Sequence, residues 1–174
     1  MYSNKFTLKF VAILALVFVI ASCSDKTVVE NSAKTPSVQP ETIHLDVYKS
    51  PTCGCCEKWL NHLHDSGFES KIHNFEDFSG LKAEQGIAPR YRSCHTAISQ
   101  NGYVFEGHVP AKYIQQFLAE KHANNIIGLS VPAMPVGTPG MEVDDKFQPY
   151  RILLLKADGS YEIYASIQSY QEQF

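Results

Sequence analysis

Residues 43–63 read IHLDVYKSPTCGCCEKWLNHL, and the change of period inside this stretch decides the fold class. Ile43, Leu45 and Val47 alternate with polar residues, the two-residue period of a half-buried strand. Ser50 and Pro51 stop that strand. Past Cys56, the residues Trp59, Leu60 and Leu63 recur at helical spacing, so an amphipathic helix follows and runs to Gly67, which suits a C-terminal cap. Cys53, Cys55 and Cys56 therefore stand where a strand turns into a helix. Free backbone N–H groups and the helix dipole favour a thiolate over a thiol at such a place.

Working outward, Phe68, Ser70 and Ile72 form one face of a second strand, and Ser79 caps a short helix over Leu81 to Gln85 that Gly86 breaks. Cys94 to Ser99 and Tyr103 to Phe105 flank Asn101-Gly102, the dipeptide of a type I′ hairpin turn. Pro110 suits the first turn of a helix carrying Ile114, Phe117 and Leu118 on one side. A second hairpin closes the chain, with Ile152 to Leu155 before Asp158-Gly159 and Tyr161, Ile163 and Tyr164 after it. The predicted fold is α/β: a thioredoxin-like fold (βαβαββα) with an additional C-terminal β-hairpin. In that order the first strand delivers the cysteine turn to one end of the sheet, and the strand beginning at Cys94 lies beside it. Between the third helix and the last hairpin, Gly128 to Glu142 holds three prolines and three glycines, so a shaped loop is expected, with no helix or central strand.

At the N-terminus Lys5 and Lys9 precede an apolar run from Phe10 to Ala21, the layout of a signal peptide over residues 1–22. That run is short for a permanent span, which takes about 20 residues. Ile20-Ala21-Ser22-Cys23 resembles the lipobox of bacterial lipoproteins, which implies lipidation of Cys23, and Ser24 after it favours the outer membrane by the sorting rule of that motif. A free Cys23 in a plain secreted protein is the alternative. Residues 23–41 are rich in Ser, Thr, Pro and charge and read as a flexible tether, leaving 42–174 as one domain. The predicted location is exported, lipid-anchored and facing the periplasm. A net charge of −3 without a long basic run argues against nucleic-acid binding, and no hydrolase triad, phosphate loop or paired-carboxylate site occurs.

Four of the five cysteines, Cys53, Cys55, Cys56 and Cys94, remain for chemistry. A lone cysteine is most often a small buried hydrophobe, whereas clustered thiols at a Ser/Pro/Gly turn are redox-active or hold a soft metal. Cys-Gly-Cys-Cys combines a CxC pair, which aims two sulfurs at one point, with a CxxC pair at a helix start. Soft Cu(I) takes thiolate and thioether ligands, and bridging sulfurs can hold several ions. Zinc suits four thiolates too, but zinc ribbons present two separate CxxC knuckles and only one is present. Met134 and Met141 sit in the Pro/Gly loop, away from any apolar helix face, and are candidate thioether ligands. His95 is a candidate beside Cys94, although strand alternation would turn adjacent side chains to opposite faces. His108, before Val109-Pro110, is a further candidate ligand or a group behind one. His62 and His64 read as solvated helix residues.

Taken together, Cys53-Gly54-Cys55-Cys56, Cys94-His95-Thr96, Gly107-His108-Val109-Pro110 and the run from Val131 to Glu142 resemble, in this order, the CopG-type family of bacterial periplasmic copper-resistance proteins. The resemblance covers about Ile43 to Val143 and extends to the final hairpin. It implies a thioredoxin-like fold and copper held by Cys53, Cys55, Cys56 and Cys94 in a thiolate-bridged, redox-active cluster. Thioredoxins themselves carry a proline directly before the third strand; here Pro89 lies five residues ahead of Cys94, which speaks against a simple dithiol mechanism. Two functions follow as expectations. One is Cu(I) binding for copper resistance, with Cu(I)/Cu(II) interconversion and an electron- or copper-transfer partner in the periplasm. The other is a thiol-disulfide oxidoreductase with Cys53 as attacking and Cys56 as resolving thiol.

Overall fold

A computed structural model describes residues 42–174. The predicted signal peptide over 1–22, Cys23 and the predicted tether over 23–41 lie outside the described residues. Among those described, no helix is long and apolar enough to cross a membrane.

Strand β1 (Ile43–Lys49) leads into helix α1 (Gly54–Asp65) and strand β2 (Phe68–Asn74), which lies parallel to β1. Helix α2 (Ser79–Glu84) follows, and β3 (His95–Ser99) and β4 (Val104–Glu106) form the expected hairpin. Helix α3 (Ala111–Ala119) then crosses to β5 (Ile126–Ser130), parallel to β4, and β6 (Tyr150–Lys156) and β7 (Tyr161–Ile167) make the last hairpin. All strands join one seven-stranded sheet in the order β2-β1-β3-β4-β5-β6-β7.

Both faces of this sheet are covered at its centre. Trp59, Leu60 and Leu63 of α1 and Ile114 and Phe117 of α3 pack on Leu45, Val47, Ala97, Phe105 and Leu129. On the opposite face Ile87 and Tyr91, from the segment before β3, pack with Val104, Leu153 and Leu155. Consecutive residues of β4 thus serve opposite cores, which is why this short strand is buried along its whole length.

Three expectations need correction. Ser79 does not cap α2: Phe78 stands at the N-cap, and Ser79 is the first helical residue, its N–H donating to Asp77 Oδ1 at 2.8 Å. The first residues of the Gly128–Glu142 stretch are not loop: Gly128, Leu129 and Ser130 end β5, a central strand. Apart from Gly128, every proline and glycine of the stretch lies beyond Ser130, and Gly128 belongs to the strand because the neighbouring backbone comes so close. A Cβ there would fall 1.8 Å from the Val104 carbonyl oxygen, and φ is +149°. The β3–β4 turn is not type I′ either. Of Asn101 and Gly102 only Gly102 has positive φ (+81°), its N–H donates to the Ser99 carbonyl, and Ser99 N–H donates to Tyr103 O. That is a three-residue loop, a type I turn closed by a left-handed glycine.

Gly128→Ala should cost on the order of 3 kcal/mol or more, because the β4–β5 backbones must part. At Gly102, where a Cβ meets nothing and only the backbone angle resists, alanine should cost about 1 kcal/mol. Urea unfolding midpoints of the two variants, side by side, measure the difference.

Candidate metal centre

Strand direction brings the chemistry to one edge of the sheet. The CxCC turn follows the last residue of β1, Lys49, and Lys49 pairs with His95, the first residue of the antiparallel β3. Cys94, immediately before β3, is thereby carried to the turn. The Gly107–Pro110 segment leaves β4 on the same edge, since Glu106 pairs with Thr96, and the loop after Ser130 leaves β5 there too, since Ser130 pairs with Glu106. Ligand sites of open α/β sheets gather at such strand ends.

Cys53 is the N-cap of α1, and Cys55 and the fully buried Cys56 stand in its first turn. Cys53 and Cys56 are joined in a disulfide, while Cys55 and Cys94 are free thiols. Cys55 Sγ is 3.5 Å from Cys53 Sγ, and the four sulfurs of Cys53, Cys55, Cys56 and Cys94 all lie within 4.8 Å of one another. The full four-thiolate set is therefore available only when the disulfide is reduced.

A second group shares Cys94. Its Sγ lies 3.1 Å from His108 Nε2 and 3.3 Å from His95 Nδ1, and these three donor atoms also fall within 4.8 Å of one another. His108 Nδ1 donates to the Pro139 carbonyl at 2.7 Å, which leaves Nε2 with its lone pair toward the sulfur. His95 is held over Trp59, ring centroids 4.2 Å apart, and its Nε2 is buried without a hydrogen-bond partner. The expectation that His95 would point away from Cys94 is not met, because Cys94 lies just outside β3 and strand alternation does not govern it.

The Pro/Gly loop closes over this group. A Cβ on Gly140 would come 2.6 Å from Cys55 O, 2.8 Å from Trp59 N and 3.2 Å from His108 Nδ1, so the loop backbone lies directly against the start of α1. Met141 follows it and is half-buried, whereas Met134 is 46% exposed. Trp59 Nε1 donates to Val109 O at 2.9 Å and ties α1 to the His108 segment.

Burial sets the electrostatics. It pushes the Cys94 thiol up to about 12, with the nearby Cys55 adding to the effect. Burial likewise holds His108 below, and His95 well below, the usual histidine value, and His108 and Lys82 depress His95 further. Soft thiol sulfurs and neutral imidazoles together suit a soft or borderline transition-metal ion.

Several buried groups here escaped the sequence reading. Lys49 is 1% exposed, with its ammonium 2.6 Å from Glu57 and 3.1 Å from Ser50 O. The signal existed, since Lys49 continues the inward alternation of Leu45 and Val47. Lys82 on α2 is paired with Glu106 on β4, both buried, and nothing in the helix pattern sets Lys82 apart from a surface lysine. His62 is not a solvated histidine: its Nε2 accepts the Ala111 N–H at 3.0 Å and so caps α3.

The family described as "Protein of unknown function, DUF411" matches residues 91–141, which run from the approach to Cys94 through Met141. No curated protein matches the chain. Two solved structures, named copper resistance protein copG, form 1 and form 2, are each 35% identical to it with a TM-score of 0.68. Each match covers 74% of this chain and 100% of the other.

The buried histidines predict a pH dependence with a definite sign. Their folded values lie below the usual 6.5, so the unfolded chain binds more protons and stability falls as pH drops below that value. The metal-free protein should therefore lose stability steadily as pH falls from about 7.5 to 5.5, through the titration range of an ordinary histidine. Denaturant unfolding across this range, beside His108→Gln with its smaller slope, measures the loss.

Proposed function

The chain belongs to the family of the copper resistance protein CopG, and from that premise we propose that it binds copper as Cu(I) on the thiolates of Cys53, Cys55, Cys56 and Cys94 in the service of copper resistance. The observation that carries this reading is the convergence of four sulfurs within 4.8 Å. Sulfurs this close can bridge, so the proposal extends to several ions per chain. His108 and His95 offer nitrogen donors beside Cys94, better matched to Cu(II) than thiolates alone, which supports interconversion of the two oxidation states. Met141 joins the candidate ligands through its place next to Gly140. Met134 is the weaker candidate because of its exposure.

A thioredoxin-like core belongs to the same proposal. Its support is the element order up to α3 together with β3 lying antiparallel beside β1. Export, lipid anchoring at Cys23, an outer-membrane position facing the periplasm and a periplasmic electron- or copper-transfer partner complete it, on the sequence of residues 1–24 and the family likeness.

One observation favours the second reading. Cys53 and Cys56 form a disulfide at a helix start, the arrangement of a thiol-disulfide oxidoreductase, in which Cys53 attacks and Cys56 resolves. Insulin reduction by the metal-free protein, lost in Cys53→Ser and kept in Cys94→Ser, is the result that reading requires.

For copper, the test is anaerobic loading of the reduced protein with excess Cu(I), desalting, and counting of metal and free thiols. More than one copper per chain is expected, lost when the four cysteines are replaced by serine. The disulfide form should retain at most about half as much, two of its four sulfurs being already bonded to each other. Equal retention by the reduced protein and the four-serine variant would remove the thiolate reading.

A further inference from the structure

Next to Cys94, in contact with Ser93 and Thr96, sits a buried ion pair that the metal reading leaves unused. Lys82 is 5% exposed and Glu106 is fully buried. An ion pair in such a place is a poor way to gain stability, since apolar residues of similar volume serve as well or better. Its hydrogen bonds show what it holds. Glu106 Oε1 accepts the Lys82 ammonium and also the backbone N–H of Ser93 at 2.6 Å. Lys82 Nζ in turn donates to the Ser93 carbonyl at 3.0 Å. The Ser93 hydroxyl donates to Ala133 O at 2.6 Å, so every polar group of the residue before Cys94 is taken, by α2, by β4 and by the loop after β5.

The other carboxylate oxygen of Glu106 reaches past the cysteine, accepting the Thr96 hydroxyl at 2.6 Å. Cys94 is thus bracketed, with Ser93 tied on one side and Thr96 on the other to a single carboxylate. Gly107 completes the cradle. A Cβ there would fall 2.7 Å from Ser93 Cβ and Oγ and 2.6 Å from Val131 O, and φ is +73°. The CxCC side differs: Pro51, Thr52 and Gly54 are exposed, and two of its sulfurs are bonded to each other.

We propose that Lys82 and Glu106 are positioning residues for Cys94: through Ser93 and Thr96 they clamp its backbone so that its sulfur stays aimed at the CxCC turn and at His108. This rests on the copper reading for its purpose but not for its geometry. The Cys94 side is the fixed half of the centre, against which the CxCC half changes its bonding.

Lys82→Met with Glu106→Leu removes the clamp without leaving a lone buried charge. In the metal-free, reduced protein, alkylation of Cys94 by iodoacetamide should rise about tenfold relative to Cys55 in the same sample, as the cysteine loses its fixed place. Cu(I) affinity, by chelator competition, should fall about tenfold, and that fall should vanish in a Cys94→Ser background, since residues acting through one group are not additive. An unchanged alkylation ratio, or an equal loss of affinity in the Cys94→Ser background, overturns the clamp. Should the double variant not fold, Thr96→Val cuts the tie to Glu106 Oε2 at nearly constant volume and should move the ratio about threefold in the same direction; no change overturns the clamp. If the wild-type protein takes up no Cu(I), the copper reading fails while the alkylation ratio still decides the clamp.

Discussion

The antiparallel pairing of β1 with β3 is the constraint on which the rest depends. Because Lys49 faces His95, the end of one strand and the start of the other coincide, and two segments about 40 residues apart in sequence are joined by backbone hydrogen bonds at a fixed register. A slip of one residue would turn Leu45 and Val47 away from Trp59 and Leu63 and so is resisted by the whole core. The sulfur of Cys94 meets the CxCC turn as a by-product of that resistance. The hydrophobic effect thus fixes the geometry of a polar site.

Around the site the fold tolerates several groups that are costly to bury, namely two lysines, two glutamates that pair with them and two neutral histidines. Only Glu57 of these keeps substantial contact with solvent. Each buried cation has a carboxylate and a backbone carbonyl as partners, and His108 has the Pro139 carbonyl. Apart from His95 Nε2, which is buried without a partner, these groups form satisfied networks that hold one geometry against its alternatives. The rest of the sheet edge is built from backbone brought too close for any side chain, at Gly107 and Gly140.

The elements legible by a period set by one buried face are β1, α1 and α3, while the last hairpin was legible from its apolar run and the Asp158-Gly159 turn. β5 was not, because its apolar residues Ile126, Ile127 and Leu129 are interrupted by Gly128, whose reason for being there is the Val104 backbone and cannot be read from its own neighbours. The thiols were legible as a cluster because three of them fall within four residues and the fourth immediately precedes a strand that the topology returns to the first. The Lys82–Glu106 pair was not, since a helix of six residues carries too little pattern to mark one lysine as inward. His95 was misread for a local reason, the strand starting one residue later than Cys94.

The hydrogen bond from His108 Nδ1 to Pro139 reaches further than the orientation of one ring. With that nitrogen committed as a donor, the neutral imidazole can only receive at Nε2, so the proton between His108 and Cys94 belongs to sulfur. Burial strengthens its hold there. Any soft cation that takes this sulfur must first evict a hydrogen ion, and capture becomes an exchange of one positive charge for another. Loading is then a competition between metal and acid, in which each unit of pH shifts the balance about tenfold for every proton displaced, and the acidity of the surroundings acts as a second, opposing ligand.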